Sequence, residues 1–214
     1  MLISLSTTNI KDAAKQGLIL SMQRQSHPKD QELFSEYSGC IEIDSTLGEQ
    51  SIWFYVDKDG FKYDFNFSNY FPKVNIKVIH DEITHRNEQF IHSGKLQRLV
   101  EYLHQNPMSK RAIIDIRKEQ YYDLSIWCVC ITHLFFRITN AWLDIHIHSR
   151  ANNAYKLLFL DMQAMVAIQH YVANQLWIKS NAYIHFIDSL HIYKEDYEDI
   201  LFQLEYIQKS NFRN

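Results

Sequence analysis

The segment from Asn153 to Trp177 constrains the fold of this chain more than any other part of the sequence. It is long and mostly apolar on every side, a pattern typical of a helix that is buried all round. The segment is therefore predicted to be a long core helix. The one carboxylate within it, Asp161, is expected to have a polar partner, because burying an unpaired carboxylate is costly.

Apolar and alternating runs predict several strands around this helix. The sequence Asp57-Lys58-Asp59-Gly60 is a strong turn signal, so the runs on either side of it are predicted to form a hairpin. The predicted strands are residues 39–44, 51–56, 61–67, 74–80, 112–116, 127–138, 142–149 and 183–187, and residues 26–36 are predicted to be a loop. Further helices are predicted at 9–22, with Thr7 or Thr8 as its cap, at 94–105 and at 195–207. This mixture predicts an α+β fold.

Composition limits the classes of function. A chain of 214 residues with only 5 glycines and 3 prolines is expected to be a single domain, residues 1–214. A formal net charge of −3 without a basic block argues against general nucleic-acid binding. No apolar run reaches about 18 residues and no leader pattern precedes the first predicted helix, so neither a membrane span nor a signal peptide is expected. The odd number of cysteines, 3, indicates reduced thiols and a cytoplasmic protein.

Three short motifs in the second half occur in a fixed order and spacing. They are Ser109-Lys110-Arg111-Ala112-Ile113-Ile114, then Cys130 followed by Arg150-Ala151-Asn152-Asn153, then Asp188-Ser189-Leu190-His191-Ile192-Tyr193. Lys110 precedes Cys130 by 20 residues, and Cys130 precedes Arg150 by 20. Together they resemble the thymidylate synthase family, in which an Arg-Arg pair, a nucleophilic Cys, an Arg-Ser-x-Asp turn and a His-x-Tyr pair surround a pyrimidine nucleotide. The resemblance is clearest over residues 94–204.

The resemblance implies a mixed sheet packed on the long buried helix, with two copies of the chain dimerising through the sheet face. It also implies that methylenetetrahydrofolate donates a one-carbon unit to C5 of a pyrimidine nucleoside monophosphate. The predicted assembly is a homodimer with shared active sites; a heteromer with a related chain is the alternative.

Cys130 matches the family nucleophile, whose thiolate adds to C6 of the base. The family usually has Pro-Cys-His at this point, and this chain has Val129-Cys130-Ile131, so the neighbouring imidazole is missing. The alternative is that Cys128 and Cys130 are only small buried strand residues. The family also has a catalytic Glu upstream, for which Glu82 is the candidate here, unless it is a surface charge.

The phosphate and sugar contacts follow from the same match. Arg150 corresponds to a phosphate-binding arginine, and Lys110 and Arg111 correspond to the Arg-Arg pair, which reaches the phosphate in the other subunit. Arginine suits a phosphate because its guanidinium donates two parallel hydrogen bonds. His191 and Tyr193 correspond to the pair that hydrogen-bonds the sugar. The alternatives are that Lys110 and Arg111 lie on a solvated loop, and that His191 and Tyr193 belong to the core.

Asp161 occupies the position at which the family has an Asn that binds the uracil edge. An ionised carboxylate only accepts hydrogen bonds, which suits the amino group of cytosine. The base-binding position is therefore closest to that of (deoxy)cytidylate hydroxymethylases, and a capping or solvated Asp is the alternative. Asn153, at the position of the family Asp, is expected to be a further substrate-binding residue. The folate half matches less well, because Asn153 replaces that Asp, Leu157 replaces a small residue, and the family's C-terminal closing segment is expected to be absent.

The sequence therefore predicts a CMP or dCMP 5-hydroxymethylase. A divergent dUMP methyltransferase is one alternative, and a catalytically degenerate nucleotide-binding subunit that partners an active paralogue is another. No metal site is expected, although Asp144, His146 and His148 alternate along one predicted strand.

Overall fold

A mixed sheet carries the fold in this computed structural model. The structure describes residues 2–23, 32–46, 53–57, 60–64, 94–116 and 130–202, with the backbone alone for 2, 3, 11, 53–57 and 60–64. The strands within these ranges are β1 Leu2–Thr7, β2 Leu33–Ile43, β3 Trp53–Asp57, β4 Gly60–Asp64, β5 Ile113–Asp115, β6 Ile131–Thr139, β7 Trp142–Ser149, β8 Asn152–Asn153 and β9 Lys179–Tyr193. The main sheet has the order β1-β2-β9-β7-β6-β5, with β8 paired to β9. Strands β3 and β4 form the predicted hairpin.

Both parallel and antiparallel pairs occur in the main sheet, as predicted for a mixed sheet. Strand β9 is parallel to β7 and β8 and antiparallel to β2. Strand β1 is parallel to β2, and β6 is antiparallel to both β5 and β7. The long strand β9 thus lies at the centre of the sheet and connects its two halves.

In the described ranges three α-helices pack against this sheet: α1 Ile10–Gln23, α2 Lys95–Gln105 and α3 Leu158–Gln175. Helix α3 buries 14 of its 18 residues, which confirms the prediction of a long core helix. After β9 a 3₁₀ turn, Lys194–Asp196, leads into helical residues 197–202. None of the helices in the described ranges combines the length and apolarity that crossing a membrane requires.

The two faces of the sheet differ in burial. On β7, Leu143, Ile145 and Ile147 are buried in the core, whereas the residues between them are half-buried. The same alternation places Phe186 of β9, which is 44% exposed, on the opposite face. The helices therefore cover one face, and the other face, here called the outer face, keeps partly exposed apolar side chains.

A bulge between β7 and β9 explains a buried glutamine in the apolar helix α3. The register of the two strands shifts between Leu143 and Ile145, which takes backbone carbonyls out of the regular ladder. Gln169, fully buried, donates from Nε2 to the carbonyls of Leu143 (2.7 Å) and Ala182 (3.1 Å). Its Oε1 accepts from the Thr46 hydroxyl at 2.9 Å. The side chain thus satisfies polar groups that would otherwise be buried without partners.

Several boundaries differ from those predicted. Strand β1 was not predicted, and β2 begins at Leu33, inside the predicted loop 26–36. Strand β9 extends over 15 residues, not five, because its second half pairs with β2 and β8. Asn9, not Thr7 or Thr8, caps α1: its Oδ1 accepts the Asp12 N–H at 2.8 Å. The predicted strand at 74–80 lies outside the described residues.

Candidate active site

The start of β6 and the end of β7 bring two predicted site residues together. The backbone N–H of Arg150 donates to the carbonyl of Cys130 at 2.9 Å, and Ile131 pairs with Ser149. Cys130 is a half-buried cysteine in the reduced state, and Arg150 is exposed. The predicted nucleophile and a predicted phosphate-binding cation are thus joined by one backbone hydrogen bond.

The short strand β8 brings in the third motif. Asn152 and Asn153 pair with Leu190 and His191 of β9, and the N–H of Ala154 donates to the His191 carbonyl at 2.9 Å. Only one residue separates Arg150 from β8. The ends of β6 and β7, strand β8 and the second half of β9 therefore meet at one end of the sheet. This end is here called the candidate site.

Asp161 reaches the candidate site from the first turn of α3. It is 2% exposed, and its Oδ2 accepts a hydrogen bond from Nδ2 of Asn152 at 2.7 Å. Asn152 is itself 1% exposed, and no hydrogen-bond partner of its Oδ1 occurs in the described part of the chain. Asp161, which was expected to need a polar partner, therefore has one in Asn152, which donates a hydrogen bond to it.

His191 and Tyr193 are two residues apart at the end of β9 and so lie on the same face of the strand, with their rings edge to face at 5.1 Å. His191 is 8% exposed, and its Nδ1 is 3.1 Å from the carbonyl oxygen of Ser189. A carbonyl oxygen only accepts, so this contact requires the proton on Nδ1. In the neutral ring Nε2 is then a hydrogen-bond acceptor, which is the group that a sugar hydroxyl needs.

Asn153 has a structural task in the turn before α3. Its Oδ1 accepts the backbone N–H groups of Tyr155 (2.9 Å) and Lys156 (2.8 Å). The side-chain oxygen is therefore occupied, and contact with a ligand is left to the amide Nδ2.

Lys110 and Arg111 lie away from the candidate site within one chain. Both are exposed and directly precede β5. The carbonyl of Ala112 accepts the N–H of Phe136, which is six residues beyond Cys130. Six residues of extended strand, from Cys130 to Phe136, span about 20 Å. One copy of the chain cannot bring these two cations and Cys130 to the same small ligand.

A buried polar chain behind the candidate site was missed by sequence reasoning. Nε2 of His185 lies 2.7 Å from Ser149 Oγ, and its Nδ1 lies 3.1 Å from the Tyr183 hydroxyl. Burial, followed by the nearby His148 ring, lowers the pKa of His185 to about 3. Burial, followed by the charge of Asp161, raises the pKa of Tyr183 well above its usual range. The signal in the sequence is alternation: these polar residues occupy inward positions of β7 and β9.

Comparison with protein families decides the identity of the fold. The family model described as thymidylate synthase matches residues 57–212, more than half of the chain. The chain belongs to the thymidylate synthase family. A search of curated proteins found no match to the chain.

Membership of the thymidylate synthase family confirms the predicted α+β fold. The family comprises C5 methyl- and hydroxymethyltransferases of pyrimidine nucleotides, which use methylenetetrahydrofolate as co-substrate and act as dimers. The match begins at residue 57, well before residue 94, so the family pattern extends into the part of the chain where the resemblance of the motifs is weak.

Glu82, the predicted catalytic acid or base, lies outside the described residues, and so does Cys128. Among the residues that are described, no group of three or more His, Cys, Asp or Glu could hold a metal ion. His148 instead contacts Asp188 through Nε2 (3.1 Å), and the Asp144 carboxylate accepts from Asn181 Nδ2 (2.7 Å).

Proposed function

We propose that this protein is a folate-dependent C5 hydroxymethyltransferase that acts on CMP or dCMP. The observation that supports the proposal is a buried carboxylate, Asp161, which is hydrogen-bonded to Asn152, two residues after Arg150 in the sequence. Its Oδ2 accepts a hydrogen bond from Asn152, and a carboxylate held in this way offers acceptor oxygens to a ligand. The nucleotide base is the ligand that the family would bring to this position.

Hydrogen-bond chemistry favours cytosine at this carboxylate. Cytosine presents an amino group, a donor, next to N3, an acceptor; uracil presents O4, an acceptor, next to N3–H. A carboxylate oxygen only accepts, so Asp161 is complementary to the amino group and repels O4. Discrimination of this kind can be large, because a mismatched base leaves buried polar groups unpaired.

The other predicted residues take roles that fit their positions. The thiolate of Cys130 would add to C6, which makes C5 nucleophilic. Arg150 would bind the phosphate, while Nε2 of His191 and the hydroxyl of Tyr193 would bind the sugar. Glu82 remains the proposed acid or base.

Methylenetetrahydrofolate, as co-substrate, would supply the one-carbon unit. The chain's contact with it differs from the family pattern at Asn153. Because the side-chain oxygen of Asn153 accepts two backbone N–H groups, this residue can only donate to a folate, whereas the family Asp accepts.

The proposed assembly is a homodimer formed through the outer face. Its partly exposed apolar residues, such as Phe186, give this face area to bury. The distance of about 20 Å along β6 between Cys130 and the Ala112 contact excludes Lys110 and Arg111 from their own chain's site. In a dimer the two cations would bind the phosphate in the partner subunit's site.

Release of tritium from C5-labelled CMP, dCMP and dUMP tests the proposal. Addition of the Cys130 thiolate to C6 lets C5 take up a solvent proton; loss of the tritium and departure of the thiolate then restore the base. Release from a cytidylate should occur with the wild type and with Cys40→Ala, a control at another half-buried cysteine, and should vanish with Cys130→Ala.

Each other outcome identifies an alternative. Release from dUMP in preference to the cytidylates would contradict the proposal and indicate a dUMP methyltransferase. Binding of a nucleotide without release of tritium would contradict it in favour of a degenerate subunit that partners an active paralogue.

A further inference from the structure

Asn152 is placed to control which hydrogen-bonding atom residue 161 presents to a ligand. Its backbone is held by the pairing of β8 with β9, opposite Leu190. Its side-chain Nδ2 donates to Oδ2 of Asp161 at 2.7 Å, and both residues are almost completely buried. We propose that Asn152 is the positioning residue that sets base selection at residue 161. This inference rests on the proposed function, in which residue 161 binds the base.

The reason is the one-way character of an amide N–H, which donates and never accepts. Whatever atom of residue 161 faces Asn152 Nδ2 must therefore be an acceptor. With an aspartate at 161 the second oxygen is an acceptor too, and it suits the amino group of cytosine. With an asparagine at 161, Asn152 in the orientation it has here would hold the carbonyl oxygen and turn the amino group toward the base. That arrangement suits O4 of uracil.

A second observation argues against Asn152 as simple core filling. Its Oδ1 is buried and has no hydrogen-bond partner within the described ranges. A buried acceptor without a partner costs on the order of 1–3 kcal/mol, so an apolar residue would fill the same space better. This cost is offset if Nδ2 of the same amide is needed as the hydrogen-bond donor to Asp161.

The test uses the orientation of an introduced amide. Asp161→Asn alone should shift binding from cytidylate toward uridylate, by about tenfold for one exchanged hydrogen bond. Adding Asn152→Asp supplies an acceptor, which should hold the introduced amino group and present the carbonyl oxygen to the base. This double variant should prefer cytidylate again. Combining Asp161→Asn with Asn152→Leu removes the orienting contact. The ratio of the dissociation constants for cytidylate and uridylate should then be close to one.

The measurement is the ratio of the dissociation constants for dCMP and dUMP, and for CMP and UMP, by calorimetric titration. If Asn152 has only a structural role, the two double variants should be less stable than Asp161→Asn. Their ratios of dissociation constants should then equal the ratio of Asp161→Asn. That result, with a wild type that prefers cytidylate, would overturn the inference and leave the proposed function standing. A wild type that prefers uridylate, or binds neither, would instead refute the proposed function.

Discussion

The buried histidine His185 should make this protein less stable as the pH falls below about 6.5. The substitution His185→Gln should remove this contribution to the pH dependence. The ring is fully buried between the Tyr183 hydroxyl at 3.1 Å and Ser149 Oγ at 2.7 Å. Burial lowers its pKa to about 3. The unfolded chain, by contrast, has a histidine pKa of about 6.5.

The sign follows from which state takes up the proton. Below about pH 6.5 the unfolded chain is protonated at this residue, whereas the folded protein stays neutral down to about pH 3. The stability from the neutral ring is thus complete above pH 6.5 and is lost progressively as the pH falls toward 3. At pH 5 the loss amounts to about 2 kcal/mol.

Urea unfolding at pH 7.5 and pH 5.0 measures this loss. The wild type should lose about 2 kcal/mol more between the two pH values than His185→Gln, which keeps a donor and an acceptor but cannot be protonated. His104→Gln, a change at an exposed histidine, should behave like the wild type. An equal loss in the wild type and His185→Gln would refute the assignment. If His185→Gln does not fold, an NMR titration of the wild-type ring decides the question: titration near pH 6.5 contradicts the buried neutral state.

Three further predictions concern the turn, the bulge and the shared site. Ala141 has φ of 63° in the β6–β7 turn, where glycine is preferred; Ala141→Gly should raise the free energy of unfolding by about 1 kcal/mol in urea denaturation, and a lower value would contradict the strain. Gln169→Leu should lower it by about 3 kcal/mol, because it leaves the bulge carbonyls unpaired, and a loss below about 1 kcal/mol would contradict that role. Mixing inactive Arg111→Ala and Cys130→Ala subunits should restore tritium release in dimers with one intact site; no restoration would contradict shared sites.

The core of the fold could be predicted from local patterns. Helix α3 follows from an apolar sequence that leaves no polar side, and strands β6 and β7 follow from apolar runs joined by a short turn. Strand β2 was harder because Ser35 and Glu36 give its beginning the composition of a loop. Its pairing with β9, about 150 residues away in sequence, decides its conformation, and no local pattern contains that information.

The candidate site was predictable by residue type more than by geometry. The motifs identified Cys130, Arg150 and His191, and the structure places them at one end of the sheet. The sequence could not show that Arg111 lies far along β6, because that depends on the register of β5. Nor could it identify Asn152, which stands at a position of the motif where any residue is allowed.

The central claim is one-carbon transfer to C5 of a cytidylate by Cys130. Mass spectrometry of nucleotides incubated with methylenetetrahydrofolate labelled with ¹³C in its methylene group tests it most directly. The wild type should form ¹³C-hydroxymethyl cytidylate, with water as the second reactant and tetrahydrofolate as the other product, and Cys130→Ala should form none. A ¹³C-methyl group on dUMP, with dihydrofolate as the other product, would contradict it, as would the absence of label in every nucleotide.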